Sequence, residues 1–181
     1  MKVLIDACVL YPTVMREMVL GCAAQGLFAP RWSARVLEEW ARAAAKLGPA
    51  QEIWARGEIA ALAARFPGAN IRYETGIERR FWLPDTGDIH VLAAAVAGSC
   101  DAILTMNAKD FPRNILDDEG LQRLDPDNFL LDLWQHAPQP VQSVADGVLA
   151  EAQRLSGQDW TLRALLKKAR LPRLGKALTA R

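Results

Sequence analysis

The chain has 181 residues, 51% of them hydrophobic and 24% charged, a balance that fits one core of ordinary size and excludes intrinsic disorder. No apolar stretch approaches the roughly 20 residues that cross a bilayer, and residues 1–12 lack the basic, apolar and small-residue layout of a secretory signal; Cys8, Cys22 and Cys100 have no CxxC spacing, which points away from disulfide frameworks and zinc knuckles and towards the cytoplasm. The net charge of +1 hides an asymmetry, because residues 1–150 carry five more acids than bases and residues 151–181 six more bases than acids, an acidic body with a basic tail that suits either a solvated helical face or a nucleic-acid or partner contact.

Short β-like runs alternate with helical patterns along the chain, which predicts an α/β fold with a parallel sheet covered by helices. Lys2 to Ile5 reads as the first strand. Residues 13–25 follow with apolar positions 14, 15, 18, 19 and 22 at helical spacing, Thr13 as N-cap and Gly26 past the end. Ser33 caps a second helix over 34–46, striped by Val36, Leu37, Trp40 and Ala44, and Gly48-Pro49 separates it from a third over 50–65. After Pro67-Gly68, Asn70 to Tyr73 is a weak strand. Residues 88–98 form a nearly all-apolar, hence buried, helix ending at Gly98, and Ala102 to Thr105 a strand. Leu121 to Leu124 is a short edge strand, and Asp125-Pro126-Asp127-Asn128 opens a helix to about Gln135. Beyond Pro138 and Pro140 come amphipathic segments over 141–155, 159–170 and after Pro172. The expected domains are 1–136 as the main body and 137–181 as a helical extension, the latter too short for a core of its own.

Four carboxylates stand out by position. Asp6 ends the apolar run Val3-Leu4-Ile5, Glu39 lies on the second helix, Asp88 opens the buried helix, and Asp110 follows the last core strand within Thr105-Met106-Asn107-Ala108-Lys109-Asp110-Phe111. Ligands of open parallel sheets bind beyond the carboxyl ends of the strands, so these acids can converge there. Oxygen ligands of this kind suit magnesium, while the separated His90 and His136 disfavour zinc. Each acid also has a local explanation: Asp6, Asp85 and Asp88 are good helix caps, Glu39 a solvated helix residue and Asp110 a turn residue before Pro112. The joint pattern is what favours a site.

Taken together, Val3-Leu4-Ile5-Asp6-Ala7-Cys8-Val9-Leu10, the Glu39 helix, Leu83-Pro84-Asp85 leading into Asp88, and Thr105 to Pro112 resemble, in order and spacing, the four acidic motifs of PIN-domain ribonucleases. The resemblance covers about residues 1–135. With Pro30-Arg31-Trp32-Ser33 before Glu39 and the helical tail, it is similar to the VapC-type toxins of type II toxin–antitoxin systems that carry a C-terminal helical extension. It implies a three-layer α/β/α fold and an acidic pocket that binds Mg²⁺ or Mn²⁺ to hydrolyse single-stranded RNA, leaving a 5′-phosphate and a 3′-hydroxyl. The implied metal-site and catalytic acids are Asp6, Glu39, Asp88 and Asp110, with Asp85 at the rim and Thr105 and Asn107 as polar supports. Many members have Asn where this chain has Cys8, which weakens the hydrogen-bonding role expected there. Gly87 stands where a further acid is frequent. An antitoxin and homodimerisation are implied as well, with residues 14–22 or 36–40 as apolar candidates for the dimer surface.

An acidic pocket repels RNA, so basic and aromatic groups must supply attraction. The candidates are Arg16, Arg31, Lys109 and Arg113, the tail residues Lys167, Lys168, Arg170, Arg173 and Lys176, and Trp82 among six tryptophans. The rival readings are a catalytically silent interaction protein of the same fold, an Asp6-dependent phosphotransferase that lacks a second acid at position 8, and a nucleotide-binding dehydrogenase with no Gly-x-Gly-x-x-Gly motif.

Overall fold

The computed structural model describes residues 1–180. Its elements in chain order are β1 (Lys2–Ile5), α1 (Ala7–Leu10), α2 (Thr13–Ala24), β2 (Ala29–Ser33), α3 (Ala34–Ala45), α4 (Pro49–Arg65), β3 (Asn70–Ile71), α5 (Ile89–Ala97), β4 (Ala102–Leu104), α6 (Arg113–Asp118), β5 (Gln122–Leu124), α7 (Pro126–His136), α8 (Pro138–Ser156), α9 (Leu162–Lys168) and α10 (Pro172–Thr179), with 3₁₀ turns at Thr75–Arg80 and Thr86–Asp88. By packing, the chain falls into two units. One holds residues 1–11 and 29–124, the other residues 12–28 and 125–181.

The first unit is built on a five-stranded sheet in the order β3-β2-β1-β4-β5, parallel at every pairing. The fold is of the expected three-layer α/β/α class. Val3, Leu4 and Ile5 of β1 and Ala102, Ile103 and Leu104 of β4 are all inaccessible to solvent, as continuous apolar runs in a covered parallel sheet must be. The expected buried helix is α5, whose residues His90 to Ala95 are all buried. On α3, Val36, Trp40 and Ala44 form the buried stripe, and Ser33 Oγ accepts the Val36 N–H at 3.3 Å as N-cap.

The sequence reading did not mark β2, a strand that contains Pro30. A proline within a run argues against a central strand because it cannot donate to a ladder. Here β2 lies between β1 and β3, yet Pro30 precedes the short β3 pairing, which begins at Trp32↔Asn70. Ala29 N donates towards β1, to Met1 O at 2.9 Å, and Trp32 N towards the other side, to Ala69 O at 3.0 Å. Pro30 therefore points its missing donor to the β3 side, before β3 begins, and no ladder bond is lost. Two short helices, α1 and α6, were also not expected, and the strand at 70–73 shrinks to Asn70–Ile71.

In the second unit α2 packs with α7 and α8, and α10 with α7 and α9. Thr13 is the first residue of α2 rather than its cap, a position held by Pro12. Asp125 caps α7 by accepting the Asn128 N–H at 3.0 Å. Two residues further along, buried Asp127 accepts the backbone N–H groups of Arg173 (2.9 Å) and Leu174 (3.0 Å), so a carboxylate of α7 satisfies the otherwise orphaned first turn of α10. Asp127→Ala is expected to lower stability by about 2 kcal/mol, since it leaves two amides without an acceptor; urea unfolding followed by circular dichroism measures this, with partial recovery expected in Asp127→Asn.

Candidate functional site

The strand order reverses between β1 and β4: β2 and β3 continue on one side of β1, and β4 and β5 lie on the other. A crevice opens at such a reversal, beyond the carboxyl ends of the strands. The last pair of the β1/β4 ladder is Ile5↔Leu104, and the next residues on each strand are Asp6 and Thr105. Asp6 N donates to Leu104 O at 3.1 Å, which carries the alignment one residue past the strands. Both side chains are buried.

Asp6 is the N-cap of α1 by position but makes no side-chain cap bond. Its Oδ2 accepts instead from the Thr105 hydroxyl at 2.7 Å and the Cys8 thiol at 3.0 Å. The local explanation of Asp6 as a helix cap therefore falls. Cys8 thus makes a hydrogen bond where the sequence reading expected a weakened role. Burial, then the negative charge of Asp6, pushes the Cys8 thiol up to about 12, so it stands there protonated, as a donor.

Asp85, Asp88 and Asp110 each place a carboxylate oxygen within 4.8 Å of the others. Asp85, expected only at the rim, belongs to this trio while also capping its turn through the Gly87 N–H at 2.8 Å. Asp88 makes no cap bond; its Oδ2 accepts from Asn107 Nδ2 at 3.3 Å. The segment after β4 thus touches two acids, Thr105 holding Asp6 and Asn107 holding Asp88. Partial burial first, then the charges of Asp6, Asp85, Asp110 and Glu39, push the Asp88 carboxyl up to about 6. That all four neighbours contribute shows the sequence-selected acids sharing one field.

Glu39 comes from α3. Its Oε1 lies 2.7 Å from Nε2 of fully buried His90, though off the line of a ring N–H bond, and 3.8 Å from Arg35 Nε one helical turn away. Arg35 also approaches Glu78 at 3.6 Å, and Glu78 accepts from Tyr73 Oη at 2.8 Å. His90 and Arg35 were not singled out as site residues. The i,i+4 spacing of Arg35 and Glu39 was a usable signal, whereas His90 meets Glu39 only because α5 and α3 fold together.

The RNA-contact candidates are distributed unevenly. Trp82 is 67% exposed, and Lys109 is exposed beside Asp110. Arg31 is partly buried and turns its guanidinium onto Pro30 O at 2.8 Å. Arg16 belongs to the second unit, is 1% exposed and stands 3.4 Å from Glu17, which withdraws it from any surface RNA would touch. In the tail, Arg173 donates to Asn128 Oδ1 at 2.6 Å and Lys168 lies over the Trp160 ring at 4.9 Å. Of the two segments named as candidates for the dimer surface, Met15, Met18, Val19 and Leu20 in one and Val36 and Trp40 in the other are buried, while Leu37 is partly exposed. Helical stripes read as free faces are the stripes the core consumed.

A hard divalent cation fits this donor set: the trio is all carboxylate oxygen, its mutual repulsion is what a cation relieves, and the nearest imidazole is turned to Glu39. Acids gathered at the switch point of a parallel α/β sheet mark this as a protein with a candidate cation site. The chain belongs to the PIN domain family, whose model matches residues 2–109, more than half its length; Asp110 follows directly after the matched segment. Among curated proteins it is similar to "Putative ribonuclease VapC50" of Mycobacterium tuberculosis, 44% identical over 57 residues, which are 30% of this chain and 34% of that protein. The chain thus spans about a third of the length of the relative it matches. No solved structure matches it significantly.

The raised Asp88 carboxyl has a definite pH signature. A folded-state value above the ordinary one means that the folded protein holds the extra proton between about pH 4 and 6, so stability falls as pH rises through that window. In metal-free protein at pH 7, Asp88→Asn is expected to raise stability by on the order of 1 kcal/mol, or about 2–4 °C, the full displacement being discounted for solvent access. At pH 4 the difference should vanish, as thermal unfolding at the two pH values will show.

Proposed function

We propose that this protein is a metal-dependent endoribonuclease acting on single-stranded RNA, the toxin of a type II toxin–antitoxin pair working in the cytoplasm. The observation that carries the reading is the convergence of Asp85, Asp88 and Asp110 within 4.8 Å, with Asp6 and Glu39 in the same field. Asp6, Glu39, Asp88 and Asp110 are the catalytic acids and the holders of Mg²⁺ or Mn²⁺, and Asp85 assists them. A hard divalent ion bound there neutralises charge on the phosphodiester and acidifies water. Thr105 and Asn107 orient Asp6 and Asp88, and His90 and Arg35 flank Glu39. The charge on Asp88, disfavoured by burial and by four neighbouring acids, is what a bound cation would relieve.

RNA enters past exposed groups. Trp82 offers an indole face for an unstacked base, while Lys109 and Arg35 offset the repulsion between the acids and the phosphates. A cognate antitoxin is expected to place a basic side chain among the same carboxylates. The chain is expected to form a homodimer, with the nuclease domain at 1–136 and the extension at 137–181.

Two measurements test this. Purified protein with Mn²⁺ or Mg²⁺ should cut a mixed single-stranded RNA pool, EDTA should stop it, and Asp6→Asn and Asp110→Asn should each reduce the rate at least about 100-fold. Folded, antitoxin-free protein that cuts nothing would instead be a silent interaction protein of this fold. Separately, Mn²⁺ at about 100 times its dissociation constant should stabilise the fold by about 2.7 kcal/mol, a gain expected to disappear in Asp6→Asn.

A further inference from the structure

Asp6 Oδ2 receives two donors, Thr105 Oγ1 at 2.7 Å and Cys8 Sγ at 3.0 Å. Each donor atom is itself an acceptor for a backbone amide of the segment after β4: Asn107 N donates to Thr105 Oγ1 at 2.9 Å, and Met106 N to Cys8 Sγ at 3.3 Å. The two heteroatoms lie 3.5 Å apart. A hydroxyl or thiol whose acceptor side is engaged by a fixed N–H directs its own hydrogen elsewhere, and here the contacts to Asp6, at 2.7 and 3.0 Å, are shorter than the 3.5 Å contact between the two heteroatoms, in which either could donate. Two parallel relays, amide to hydroxyl to carboxylate and amide to thiol to carboxylate, therefore end on one oxygen. A carboxylate pinned twice through one oxygen has its rotation restricted.

We propose that Cys8 is a positioning residue, whose thiol, paired with the Thr105 hydroxyl, locks Asp6 by Oδ2 and so presents Oδ1 to the divalent cation. This rests on the metal-dependent reading above. Outer-shell partners of ligating carboxylates commonly govern metal affinity by 10- to 100-fold. A thiol is the weaker kind of donor, which sets the expected effect at the lower end of that range. Serine reproduces both halves of the relay, as donor and acceptor. Valine fills the space and reproduces neither.

The test is isothermal titration of the full chain with Mn²⁺, comparing wild type, Cys8→Ser, Cys8→Val and Cys8→Ala, with metal-free melting temperatures measured alongside. The expected result is about 10-fold weaker Mn²⁺ binding in Cys8→Val and Cys8→Ala, affinity within about 2-fold of wild type in Cys8→Ser, and metal-free melting temperatures too close to account for the loss. Should the valine variant unfold, the alanine and serine pair carries the comparison. In metal-free protein, the infrared S–H stretch isolated by difference against Cys8→Ser should lie below that of a free thiol. Equal Mn²⁺ affinity in wild type and Cys8→Val, serine as weak as valine, or an unshifted S–H band would each overturn the positioning role and leave the nuclease reading standing. No Mn²⁺ binding by the wild-type chain would overturn both.

Discussion

The pairing of β1 with β4 is the constraint on which the site depends. The two strands are far apart in sequence, and their ladder runs in register through Ile5↔Leu104 and on through the Asp6 amide to Leu104 O. Because side chains alternate along a strand, a one-residue slip would turn Asp6 away from Thr105. Val3, Leu4 and Ile5 of β1 and all three residues of β4 are apolar and buried, so slipping would also misplace core side chains. The hydrophobic pattern that fixes the register therefore also fixes the hydrogen bond between Thr105 and Asp6.

Around that bond the molecule assembles like charges that repel one another. Asp88 registers the cost, with its carboxyl raised by burial and by four neighbouring acids. The arrangement is held by donors with fixed backbones behind them: Thr105 and Cys8 on Asp6, Asn107 on Asp88, the Gly87 amide on Asp85. Neutral donors of this kind orient a carboxylate without cancelling its charge, which leaves the field intact for a cation. Glu39 differs, since its neighbours His90 and Arg35 are basic groups.

The site and most of the tail belong to different units of the chain. The chain leaves β1, forms α2 within the helical unit, and returns as β2 to the sheet unit. Every acid of the site belongs to the sheet unit, while the basic excess of residues 151–181 belongs to the helical one. Part of that excess is already engaged, as Arg173 on Asn128 and Lys168 on Trp160 show.

Local chemistry made much of this legible in advance. Continuous apolar runs marked β1, β4 and α5, Ser33 and Pro126 marked helix starts, the end of an apolar run marked Asp6, and the segment Thr105 to Phe111 after a strand marked Asp110. Burial alone changed the reading of Arg16 and of the stripes at 14–22 and 36–40, because periodicity shows that a face is apolar and not what covers it. β2, which contains Pro30, went unmarked, and whether a missing N–H matters depends on where the neighbouring strand begins. The sequence by itself determined which residue types were available and which short segments would be strand or helix, because those follow from interactions within a few residues. Only the tertiary structure decided that Asp85 joins Asp88 and Asp110, that His90 faces Glu39, and that Cys8 and Thr105 share one oxygen of Asp6. Those are contacts between groups on different elements, and their distances exist only once the strands have paired and the helices have packed.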